Sequence, residues 1–172
     1  MVEGAAAPAA FLDSKGKLLA IVTVGRVAKE TYLLENQGHQ AAEVFALLDR
    51  YHFTERLTLE ELSGRCVQSL AFHGDPTGSD EAPLDQAPWS VRTMGGAVVF
   101  EGSRRGVAWR RAHGADPVAA VGETGSPHAS GPLAPEEREA VRLLMGEPRV
   151  GVDTEPKTLG MEAGIEDFLS TT

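Results

Sequence analysis

The chain predicts an α+β domain: an antiparallel sheet in a hairpin, helix pair, three-stranded meander, helix order. Three observations carry this. Short apolar runs bounded by Gly and Asp occur near positions 20 and 90–112, apolar residues recur at helical spacing over 38–72, and Pro135 opens a late amphipathic run.

Residues 9–25 read as two strands around Asp13-Ser14-Lys15-Gly16, where Asp favours the turn start and Gly supplies a positive φ. Leu18 to Val22 is apolar at every position, as in a strand covered on both faces. Residues 27–35 are ambiguous, because Thr31, Tyr32 and Leu33 favour a strand while Ala28, Lys29 and Glu30 favour a helix.

Over 38–53, Ala41, Val44, Phe45, Leu48 and Tyr51 follow helical spacing, with Asn36 upstream as a cap. A second helix is expected from Thr58, where Thr58-Leu59-Glu60-Glu61 matches a capping box and Leu59, Leu62, Cys66 and Leu70 share a face as far as Phe72. Residues 73–88 read as an acidic loop. Three strands follow at 89–94, 97–101 and 106–112, with turns at Gly95-Gly96 and at Gly102-Ser103-Arg104-Arg105. Residues 114–134 lack periodicity. A helix then starts at Pro135, buries Val141, Leu144 and Met145, and stops at Gly146 and Pro148. A short strand at 149–152 is possible, and Met161, Ile165, Phe168 and Leu169 share one face of a last helix. The division expected is a single domain over 1–146 and an acidic amphipathic tail over 147–172. In order of elements the chain resembles profilin-like, roadblock/longin and PAS-like domains, a likeness of topology that carries no function.

Composition narrows the partners. At 172 residues the chain can bury a core without staples, and its net charge of −9 repels phosphate backbones and anionic lipid surfaces. Neither nucleic acid nor membrane is expected. The one cysteine and an N-terminus without a basic, apolar leader point to a cytoplasmic location, and the excess of Arg over Lys to a bacterial source.

No residue pattern names a reaction, a metal or a cofactor. His73-Gly74-Asp75-Pro76 and His113-Gly114-Ala115-Asp116-Pro117 could pair as ligands or as acid and base, yet turn geometry alone accounts for both. Cys66 falls on an apolar stripe, as a buried inert thiol does. Ser126, His128 and Ser130 lack a nucleophile elbow, His39 and His52 are solitary, and no Gly-x-x-x-x-Gly-Lys-Ser/Thr cradle occurs.

One polarity stands out. Residues 92–113 hold five Arg against Glu101, whereas 147–172 hold six acids against Arg149 and Lys157. Ordinary solvated surface is one explanation. The functional one is a basic sheet edge, with Arg104, Arg105, Arg110 and Trp109, that receives an acidic segment carrying Ile165, Phe168 and Leu169, its own or a partner's. The function expected is therefore a non-catalytic regulatory or adaptor domain that binds another protein or forms a homodimer. The alternative is a small-molecule sensor or enzyme whose pocket lies between meander and helices, lined by Trp89, Trp109 and Tyr51 with His73 or His113.

Overall fold

The structure, a computed structural model, describes residues 1–36, 40–54, 56–63, 67–73, 89–105, 107–115 and 134–165, with residues 67–73 as backbone only. It is an α+β fold. Strands β1 (Ala6–Leu12), β2 (Leu18–Ala28) and β3 (Thr31–Asn36) form one antiparallel sheet in the order β1-β2-β3. Strands β4 (Val67–His73), β5 (Ser90–Met94), β6 (Ala97–Arg104) and β7 (Val107–Gly114) form a second, ordered β4-β7-β6-β5. Helix α1 (Ala41–Tyr51) lies between β3 and β4 in the chain, and α2 (Pro135–Leu144) follows the strands.

The hairpin turn forms as its residues dictate. Asp13 Oδ1 accepts from the backbone N–H groups of Lys15 and Lys17 at 2.8 and 2.9 Å, and Gly16 has a φ of 77°. Gly95 and Gly96 both have positive φ, which a two-residue hairpin needs to match the strand twist.

Three expectations are revised. Among the described residues of 58–72 there is no second helix: Val67–His73 is a strand paired along its length with β7, because an open sheet edge offers a full ladder of hydrogen bonds. Helical spacing of apolar residues could not exclude this. In the order of elements, one helix and a strand take the place of the expected helix pair. The ambiguous stretch is β-structure, with β2 running on to Ala28 and β3 beginning at Thr31, and Asn36 belongs to β3 while Gln40 holds the cap position of α1. Gly102, Ser103 and Arg104 continue β6, so the last turn contains Arg105, at a φ of 48°.

Register decides what each face meets. Ala20, Val22 and Val24 pack with Val44, Leu47 and Leu48 of α1. The opposite face carries Ala6, Gly25 and Leu33 in register, and Pro8, Thr23 and Glu35 beside them. That face lies on the second sheet: a side chain on Gly25 would come within 2.5 Å of Phe100 and 2.9 Å of Val91. Val91, Phe100, Val107, Trp109 and Met145 form the main core between the layers. At one edge the sheets are stitched together, since Ala5 bridges Ser90, Ala6 N–H donates to Trp89 C=O and Val91 N–H donates to Gly4 C=O. None of the described helices is long and apolar enough to cross a membrane.

Candidate functional site

Alternation along β7 places Val107, Trp109, Arg111 and His113 on one face of the second sheet, toward the first. An arginine on that face needs a partner, and β3 supplies it. Arg111 Nη1 donates to Glu35 Oε1 at 3.5 Å, and both side chains are almost wholly buried. Glu147, just beyond α2, accepts from Arg111 Nη2. The guanidinium also stacks on Trp109, 4.3 Å from the ring centroid. His113 Nε2 lies 3.3 Å from the same Glu35 oxygen, and its ring meets Phe100 edge to face.

The electrostatics follow from that geometry. Burial pushes the Glu35 carboxyl up, but Arg111, aided by His113, outweighs it and holds the group below its ordinary value. Burial likewise opposes the charge on Arg111, and Glu35 and Glu147 raise its affinity for the proton regardless. Glu35 is thus an ionised carboxylate locked to a guanidinium, and a proton-transfer role needs a group that changes state near neutral pH.

A second network borders the first. Arg142 on α2 donates to Glu139 at 2.6 Å and to Asp153 at 2.6 Å, and its Nη1 also reaches the Glu147 carbonyl. Arg149 pairs with Glu139 as well, and its backbone N–H donates to Asp153 at 2.6 Å. The hydrogen bonds and charge of Arg142 lower the Asp153 and Glu139 carboxyls.

Between the layers, under residues 147–150, is a cavity of about 30 Å³ lined by Thr23, Glu35, Trp89, Arg104 and Arg111. That volume suits one or two water molecules; metabolite pockets are roughly ten times larger.

The residues singled out in the sequence are distributed as follows. Trp109 is buried and meets Trp89 edge to face at 4.9 Å. Arg104 is buried and donates to the Gly164 carbonyl at 3.2 Å, and the neighbouring Ile165 is fully buried. Arg105 is exposed, with its guanidinium against Gly146. Arg110 and Arg92 both pair with Glu101 across the sheet, Arg92 at 3.0 Å. Between the Arg-rich strands and the acidic segment, Arg111 pairs with Glu147 and Arg104 holds the Gly164 carbonyl. Tyr51 is exposed and outside the cavity lining. His73 pairs with Ala108 and His113 with Gln68, five residues apart along β7 or roughly 17 Å, so the two histidines do not share a site. Among the described residues, no group of three or more His, Cys, Asp or Glu could hold a metal ion. Cys66, His39, Asp75, Asp116, Ser126, His128, Ser130, Phe168 and Leu169 lie outside the described residues.

The expected helix over 161–169 is, within the described part, one 3₁₀ turn, Gly160–Ala163, ended by Gly164 at a φ of 66°. Met161 is exposed there. Residues 149–152, a possible strand, form turns closed by Val152 N–H donating to the Arg149 carbonyl. Sequence reasoning missed Glu35, Glu147 and Arg142. The available signal was period two in β7, which sets Arg111 on the face of Val107 and Trp109. Comparison with protein-family models, curated proteins and solved structures returns no match to this chain.

Proposed function

We propose that the chain is a non-catalytic binding domain that works by contact with another protein or with a second copy of itself. The observation that supports this is a set of large apolar side chains with high exposure at the end of α1 and just beyond it. Tyr51, Phe53 and Leu57 are 63, 80 and 45% exposed, within seven residues of chain. Exposed aromatic side chains are enriched where proteins meet. The polar interior adds support of a different kind, because its charged groups pair with one another around a cavity sized for water.

The test is size-exclusion chromatography with light scattering over a concentration series, on the wild type and on Tyr51→Ser with Phe53→Asp. Self-association should rise with concentration and disappear in the variant, whose circular dichroism stays unchanged. A chain that remains monomeric and instead shifts its melting temperature with small metabolites overturns the proposal in favour of a ligand pocket.

A further inference from the structure

The chain beyond Glu147 is held to the domain by polar contacts along its length and by one fully buried apolar side chain, Ile165, at its end. Val152, Leu159 and Met161 are exposed, while Ile165 is buried. Its attachment runs along the first hairpin: Leu18 N–H donates to Thr158 C=O at 2.9 Å, Gly160 N–H to Gly16 C=O at 3.1 Å, and Lys17 bridges Leu159. Arg104 holds the Gly164 carbonyl. At the other end the Glu147 side chain rests on buried Arg111, and its carbonyl on Arg142.

The chain just before this segment is built differently. Met145 is fully buried in the main core, so α2 stays anchored. Gly146 follows, with a φ of 62° and the Arg105 guanidinium so close that a side chain there would clash. An anchored helix, a glycine in the left-handed region and a polar-bound segment occur in succession, and that segment closes one wall of the cavity between the sheets. Buried apolar surface resists re-exposure to water in proportion to its area, whereas a hydrogen bond broken in the protein is largely replaced by one to water. A polar-bound segment therefore detaches at lower free energy than the core unfolds.

We propose that residues 147–165 form a strap, latched by Glu147 on Arg111, that lifts as a unit about Gly146 while both sheets stay folded, uncovering the cleft that holds Trp89, Arg111 and Glu35. Arg111 keeps Glu35 and Trp109 when the strap is raised, so the cleft does not collapse for want of a counter-charge.

Hydrogen exchange read by mass spectrometry on the full chain tests this, comparing wild type with Glu147→Gln and, separately, Asp153→Asn. The second variant loosens the strap by removing its ion pair with Arg142 of α2, without touching the sheets, so it serves if the first does not fold. The amides of Gly160 and Leu18, which report the two sides of the junction, should exchange on the order of tenfold faster in either variant. Those of β5 to β7 should keep their wild-type rates, and acrylamide should quench tryptophan fluorescence more strongly. Equal acceleration in strap and sheets would mean global destabilisation and overturn the proposal, as would unchanged exchange in both variants.

Discussion

Arg111 concentrates the physics of this molecule in one residue. A buried guanidinium is tolerated because Glu35, Glu147 and the Trp109 face surround it, and none of the three is near it in sequence except Trp109. Removing the cation leaves two largely buried carboxylates without their counter-charge, so Arg111→Met should lower unfolding free energy by about 3–5 kcal/mol in urea titrations. Adding Glu35→Gln should recover part of that loss, since the pair is coupled. The pH dependence has a definite sign. In the folded state Glu35 is held below the ordinary glutamate value of 4.5, so the unfolded chain takes up its proton first as pH falls. Its contribution is complete above that value and drains away below it. Glu35→Gln should therefore flatten the acid limb of a stability–pH curve while lowering stability at neutral pH. Gly25 marks a second residue-scale constraint, of shape: a methyl group there meets Phe100 and Val91, and Gly25→Ala should cost about 1–3 kcal/mol by overpacking.

At the scale of elements, α1 earns its place through one face. Val44 is buried against Ala20 and Val22, with Leu47 and Leu48 beside it, so Val44→Ala should cost roughly 1.5–3 kcal/mol, while the exposed Leu57 should tolerate Ala within about 0.5 kcal/mol. Thermal and denaturant unfolding of the two variants checks the contrast. The stretch after α1 shows how an element can be misread: Leu59, Leu62, Cys66 and Leu70 are spaced for a helix, but Val67–His73 completes the sheet against β7. Leu62 is accordingly half-buried beyond any helix, and its truncation should cost less than that of Val44.

The whole molecule is two sheets closed face to face, stitched along Ala5 and Ser90 at one edge and bound across the layers by Arg111. Residues 147–165 lie against the sheets, with Ile165 buried and the Gly164 carbonyl accepting from Arg104 of β6. Truncation after Gly160 should for that reason lower the melting temperature measured by calorimetry. An unchanged value would mean that Ile165 and the Arg104 contact contribute nothing to the folded state.

By itself the sequence determined the pieces whose cause is local. Asp13 and Gly16 made the first turn, Gly95 and Gly96 the second, Pro135 the start of α2, and the spacing of Val44 and Leu48 the inner face of α1, from which Tyr51 departs, because each effect acts within a few residues of its source. The surplus of Arg in the meander and of acid near the C-terminus was also legible, as a charge mismatch seeking a partner. Tertiary structure alone decided where those charges went. Glu35 and Arg111 are 76 residues apart, and only the packing of β3 over β7 removes both from water and obliges them to pair. The same holds for residues 67–73, where the helical spacing yielded to an open edge on β7, since hydrogen bonds to a neighbouring strand can outweigh any preference the segment has on its own.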